Sequence, residues 1–294
     1  MAASELARLR LVSYNVKRFM GPDGECTIEA IGRALANKLE PTVVCLNEVD
    51  IQKWPDTLDR FGKALGASHI KFFGHVRDGN YGNAICSTLP LDVCKTTQLD
   101  GGSSVEFKGK VHRIVRGLLV CSVDGSPAGL PRFIVASTHL DHMNEGERRV
   151  QLAHVRRELE ALGSARNEPV VLCGDLNALK RGDYEDHHWK HLEDRHQERG
   201  WAPPAHGCLD ELEHHGFVDC FHHLSQESPT ASVENPLYRI DYCFARSCMM
   251  SHLELRDAFV AREVCASDHF PIVVDFSPRS GPDDDGATTD KSNL

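Results

Sequence analysis

The chain has 294 residues, 41% of them hydrophobic and 26% charged, and carries a formal net charge of −10. That is ordinary globular composition, long enough to bury roughly three quarters of its unfolded surface as one large domain. The acidic balance argues against a non-specific coat of long nucleic acid, though it leaves room for a local basic groove.

The opening segment, "MAASELARLR", lacks an apolar stretch of the signal-peptide kind. No run approaches the ~20 apolar residues of a membrane span, so a soluble intracellular protein is expected, in cytoplasm or nucleus. Residues 10–16 read as a strand, followed by a loop holding Gly21, Pro22 and Gly24. Thr27 then suits the N-cap of a helix to Leu39, stopped by Pro41. A strand from Thr42 to Glu48 follows, then a helix across Pro55–Leu65. From His69 to Val123 the signals are short strands punctuated by Gly and Pro.

A strand over 132–140 leads to an amphipathic helix. Asn144 and Glu147 have capping-box spacing, Val150, Leu152, Val155, Leu159 and Leu162 form the apolar face, and Gly163 is its predicted end. The strand "VVLCGDLN" (170–177) comes next. Residues 178–216 are polar and read as loop with one or two short helices. Strands over 238–246, 251–260 and 270–276 close a domain of residues 10–277. The acidic segment 278–294 is expected to be disordered. Helices alternate with strands in places and strands cluster elsewhere, which suits an α/β protein of two packed mixed sheets with helices outside.

The eleven cysteines are scattered, without a C-x-x-C pair. They read as small buried hydrophobes in a reducing compartment rather than as a disulfide framework or zinc cage.

The ends of the strands carry the chemistry. Asn15, Glu48, His139 with Asp141 and His142, Asp175 with Asn177, and Asp268 with His269 all stand where apolar runs stop. Asp241 sits inside one, in "RIDYCF". Each has a plain structural reading: a turn former, a cap, a bend before a strand. Their repetition at successive strand ends does not. Buried carboxylates need a partner or a metal, and α/β architectures assemble their sites at strand ends. Carboxylate and amide oxygens suit a hard cation such as Mg²⁺. Imidazoles can donate to an oxyanion, with aspartates holding their tautomers, and a further aspartate can activate water. Together they point to a metal-assisted phosphoester hydrolase.

The ordered set "SYNV", "CLNEVD", "GNAICS", "STHLDH", "CGDLNAL", "RIDYCF" and "SDHFPI" closely resembles the endonuclease/exonuclease/phosphatase superfamily, of deoxyribonuclease I-like fold, over about residues 10–276. The resemblance implies a four-layer α-β-β-α sandwich that hydrolyses phosphoesters with Mg²⁺ or Mn²⁺. It implies Asn15 and Glu48 at the metal, His139 on the scissile phosphate, and Asp175 at the attacking water, with Asn177 beside it on the phosphate. Asp268 and His269 match the closing motif, and Asp241 matches the aspartate that pairs with the histidine. Asn83 and Arg116 match polar positions near the substrate phosphate. Many members place an acid shortly before the position of Arg116, where this chain has Ile114 and Val115.

Residues 187–223 hold nine histidines, at 187, 188, 191, 196, 206, 214, 215, 222 and 223. With neither H-E-x-x-H nor a cysteine pair, this insert reads as a solvated polar face rather than a zinc site. Tyr184, Trp189 and Trp201 could offer stacking faces beside a cleft. Nucleic acid and small phosphoesters both remain open as substrates. A catalytically inactive scaffold on the same fold is the alternative to an enzyme, and a monomer is the expected state.

Overall fold

The computed structural model describes residues 7–107, 109–166, 168–222, 228–246 and 252–279. In chain order its elements are β1 (Leu9–Asn15), α1 (Ile28–Leu39), β2 (Val43–Asp50), α2 (Thr57–Leu65), β3 (His69–Val76), β4 (Tyr81–Ser87), β5 (Leu91–Gln98), β6 (Ser104–Phe107), β7 (Lys110–Arg113), β8 (Gly117–Val123), β9 (Phe133–His139), α3 (Glu145–Arg166), β10 (Val170–Asp175), α4 (Asp186–Glu198), α5 (Asp210–Glu213), β11 (Phe217–Asp219), β12 (Asp241–Arg246), β13 (Leu253–Val260) and β14 (Ile272–Pro278).

Sheet one runs β13-β14-β1-β2-β4-β3, and sheet two runs β11-β12-β10-β9-β8-β5. Both are mixed: β1 and β2 are parallel, as are β9 and β10, while β14 and β12 flank those pairs antiparallel. A small hairpin, β6-β7, stands apart.

Side chains alternate between the faces of a strand, so an apolar strand supplies two cores. In β1, β2 and β10, Leu11, Cys45, Val171 and Cys173 enter the core between the sheets. Val12, Val44 and Leu46 of sheet one pack instead with Ile31 and Leu35 of α1 and Phe61 of α2. Val170 and Leu172 of sheet two pack with Leu152, Val155 and Leu159 of α3 and Leu212 of α5. The result is the expected α-β-β-α sandwich.

Several local expectations change. α3 continues through Gly163 to Arg166. That glycine marks a close approach instead, since a Cβ there would lie 2.9 Å from Val170 Cγ2 of β10. Val150 is 48% exposed, off the buried face. Asn144 accepts from the N–H groups of Gly146 and Glu147, but Glu147 turns away and accepts from the Gly102 N–H at 2.6 Å. Thr27 precedes α1 without a side-chain cap bond. The strand expected from Tyr238 begins at Asp241, because the Tyr238 carbonyl accepts from Thr230 and Ala231.

The histidine-rich stretch contains α4, anchored by Leu179, Tyr184, Trp189 and Leu192. Among the described residues no cysteine forms a disulfide, and Cys45, Cys86, Cys121, Cys173, Cys208, Cys220 and Cys243 are buried. No helix there is long and apolar enough to cross a membrane. His223, and the expected disordered tail from 280 onward, lie outside the described residues.

Candidate active site

The alternation that fills the inter-sheet core also builds the site. Continue two residues past Cys173, Cys45 or Val135 on the same face, and the row reaches Asp175 and Asn47, or Ser137 and then His139. Where the core ends, these polar side chains face one another across the seam. Register fixes their alignment. Asp175 stands opposite His139 on one side and Asp241 on the other, and Asn15 stands opposite Asn47 in sheet one.

Asp175 is the hub. Its Oδ2 accepts from Asn15 Nδ2 at 2.9 Å and lies 3.5 Å from His139 Nε2 and 3.8 Å from His269 Nε2. Its Oδ1 accepts from the Asn177 N–H at 3.0 Å, and its own N–H donates to Asn47 Oδ1 at 2.9 Å. Burial first, and then the Asp241 carboxylate, push Asp175 up to about 7.

His269 Nδ1 pairs with Asp241 Oδ2 at 2.8 Å. Burial works against the imidazolium, but Asp241 and then Asp175 outweigh it and push His269 up to about 10. Its Nδ1–H therefore belongs to Asp241, and Nε2 faces the centre. His139 has the opposite anchoring. Arg116 Nη1 lies 3.3 Å from His139 Nδ1. A guanidinium only donates, so Nδ1 is an acceptor and the proton sits on Nε2, again facing the centre. Burial and then Arg116 hold His139 well below its ordinary range, as a neutral donor. The other arm of Arg116 reaches His142 Nδ1 at 3.2 Å.

Glu48 enters from sheet one. The β2–β4 register shifts between Leu46 and Val49, and Glu48 has φ +59°. A bulge of this kind re-aims a side chain, and a left-handed non-glycine residue is a strain found at functional sites. Asn177, at φ +49°, turns the chain similarly after β10, and its Nδ2 donates to the Leu140 carbonyl. Glu48 accepts from Asn15 Nδ2 at 3.1 Å, and among the described residues no cation pairs with it. Asp268 lies at the rim, paired with Lys17 at 3.0 Å, and Ser267 ties its loop to the Asn15 carbonyl.

Asn83 and Arg116, read from sequence as lying near a phosphate, are both buried. Asn83 gives its amide nitrogen to the Gly117 carbonyl and its oxygen to Asn47, so it stitches the sheets together. The sequence reading gave no role to Asn47, Tyr81 or His75. Tyr81 lies beside Glu48, and burial and then that carboxylate hold its hydroxyl protonated. His75 is pushed down to about 4 by burial and then Arg116.

Two places could hold a cation. The ligand atoms of Asp175, Asp241 and His269 lie within 4.8 Å of one another, and Asp241 Oδ1 is buried without a partner. The 2.8 Å bond commits His269 Nδ1 and Asp241 Oδ2 to each other. Glu48, half-buried and without an ion pair among the described residues, is the better match to a hard cation. The histidine insert supplies no such cluster among the described residues.

The fold and site define an α/β sandwich with an acid–imidazole cluster at one end of the seam between its sheets. The chain belongs to the endonuclease/exonuclease/phosphatase family, whose model matches residues 12–269. Among solved structures, it is similar to a family member from Bacteroides thetaiotaomicron (TM-score 0.68, 16% identity, 94% of this chain and 100% of that one). It is also similar to a mannosyl-6-phosphatase from the same organism (TM-score 0.65, 17% identity, 91% and 99%). A third is the human Nocturnin catalytic domain with bound sulfate (TM-score 0.59, 18% identity, 93% and 94%). None of the curated protein sequences matches the chain.

Proposed function

We propose that this protein hydrolyses a phosphoester by attack of water, with a divalent cation, Mg²⁺ or Mn²⁺, held at Glu48 and Asn15. The observation that carries this reading is the convergence of the Asn15, His139 and His269 N–H groups on Asp175, beside a Glu48 that has no ion pair among the described residues.

The cation supplies Lewis-acid stabilisation of the phosphoryl oxygens. Glu48 and the Asn15 side chain would hold it. Asp175 orients the attacking water and takes its proton. His139 donates from Nε2 to a phosphoryl oxygen, its tautomer set by Arg116. His269 donates from Nε2 on the other side, with Asp241 holding Nδ1. Asn177 borders the phosphate, and Asp268 shapes the rim through Lys17. Placing donors in advance where charge develops is the largest contribution a protein makes to such a reaction. The net charge of −10 favours a small phosphoester over long nucleic acid. The similarity to a protein named as a mannosyl-6-phosphatase supports the same choice.

The test is a panel of DNA, RNA, sugar phosphates and inositol phosphates, with Mg²⁺ and with EDTA. Hydrolysis should require the cation. Glu48→Gln, Asp175→Asn and His269→Ala should each lose about 10²–10⁴-fold in kcat with unchanged circular dichroism. Wild-type turnover in these variants overturns the reading.

A further inference from the structure

We propose that Arg18, Lys53 and Arg77 form a second anion subsite beside Glu48, which takes an additional phosphate group of the substrate. This deepens the phosphoester reading and rests on it.

The observation is an excess of positive charge on one buried carboxylate. Asp50, two residues past Glu48, is 1% exposed. Its Oδ1 is used by the N–H groups of Gln52 and Lys53. Its Oδ2 accepts both Arg18 Nε at 2.9 Å and Arg77 Nη1 at 2.6 Å. One guanidinium would neutralise Asp50. The second brings like charges together on a single oxygen, which costs energy unless an anion joins them.

Both side chains keep donors free. Arg18 and Arg77 are 31% and 43% exposed. Neither the Nη atoms of Arg18 nor Nε and Nη2 of Arg77 bond to the described residues. Lys53 adds a third charge, its ammonium 5.2 Å from the Trp54 ring centroid, and among the described residues it has no ion pair.

The backbone holds this cluster in place. Lys17, Arg18 and Phe19 have φ of +44°, +62° and +51°, and the Trp54 indole donates to the Arg18 carbonyl at 3.2 Å. Consecutive left-handed residues persist only where surrounding structure fixes them. Arg77 occupies the β3–β4 turn, with its guanidinium 5.2 Å from the Tyr81 ring centroid. Tyr81 in turn lies beside Glu48, which connects Arg77 to the metal side of the site. Guanidinium groups pair with phosphate through charge-assisted bonds, and here they are gathered in a chain of net charge −10.

A second phosphate could belong to a polynucleotide end or to a small bisphosphate, so the experiment uses two substrate pairs. One is a dinucleotide with and without a 5′-phosphate. The other is a hexose bisphosphate against the hexose monophosphate. The wild type should prefer the doubly phosphorylated member of at least one pair, and the preferred pair identifies the source. Arg18→Gln, Arg77→Gln and Lys53→Ala should each reduce that preference, as a ratio of kcat/KM values, about tenfold through KM. Lys53→Ala leaves Asp50 paired, so it reports even if the arginine variants fold poorly. No preference in the wild type, or a ratio unmoved by the variants, overturns the subsite.

If no phosphoester is turned over, the hydrolase reading falls and the subsite is decided by calorimetry with inorganic pyrophosphate. Binding by the wild type that is lost in Lys53→Ala and Arg77→Gln upholds it. Equal binding or none overturns it.

Discussion

At the scale of single residues, Asn47 shows how much an unremarkable amide can hold. Its nitrogen donates to Asn83 Oδ1 and to the Thr138 carbonyl, both at 3.0 Å, and its oxygen accepts the Asp175 N–H. Asn47→Ala leaves three buried groups without partners, and each orphan costs about 1–3 kcal/mol. Loss of about 3 kcal/mol or more in urea unfolding is expected, with a lower kcat because Asp175 loses its anchor. A loss under about 0.5 kcal/mol, the level of an ordinary surface change, would refute this account.

Asp141 makes a pH-dependent contribution. Burial opposes its charge, but the N–H groups of Ser103, Met143 and Asn144 and the Ser103 hydroxyl outweigh burial and hold it below its ordinary value of 3.8. A depressed folded value means stability that is present above the unfolded value and lost as pH falls through the folded one. The stability gap between wild type and Asp141→Asn should therefore be constant from about pH 5 to 7 and shrink below about pH 4. Denaturant melts across that range test it, and a gap that widens in acid contradicts the assignment.

At the scale of elements, β10 is a strand designed around its last two residues. Gly174 has φ +151°, and a Cβ there would lie 1.9 Å from the Thr138 carbonyl oxygen of β9. Gly174→Ala must separate two parallel strands next to Asp175, so we expect destabilisation of about 3 kcal/mol or more and loss of activity. A variant that melts like wild type would mean that β9 yields easily. The polar ends of β1, β2, β9 and β10 were legible in the sequence because alternation and turn residues are local signals. Asn15, His139, Asp175, Asp241 and His269 could be named, and the structure brings them together. Asn47 and Tyr81 could not be given roles, because their partners come from distant segments and a strand-end amide looks like a turn former. The extent of α3, which runs on to Arg166, is hidden in the sequence for a related reason. A glycine that ends a helix and one that admits a neighbouring strand look alike until the neighbour is in place.

At the scale of the whole molecule, the question is why an acidic protein gathers Glu48, Asp175 and Asp241 at one end of its central seam. Sheet one supplies the first and sheet two the others, so Glu48 is repelled across the layers while Asp175 and Asp241 repel each other within sheet two. Arg116 does not neutralise them, because its contacts go to His139 and His142. His269 is committed to Asp241, and among the described residues no cation is paired directly with Glu48. A cation at Glu48 would then stabilise the sandwich as well as the reaction, by an amount set by its saturation: about 2.7 kcal/mol at a hundred times Kd. Glu48→Gln separates the two effects. It keeps an oxygen for Asn15 but removes the charge, so in EDTA it should melt at or above the wild-type temperature. With Mg²⁺ the wild type should rise by several degrees while Glu48→Gln stays where it was. If both rise equally, the cation binds elsewhere, and the Asp175, Asp241 and His269 group becomes the place to look. If neither rises, no cation binds at the seam tightly enough to act on the fold. The same measurement therefore tests whether the end of the seam trades stability for a binding site, as functional sites commonly do.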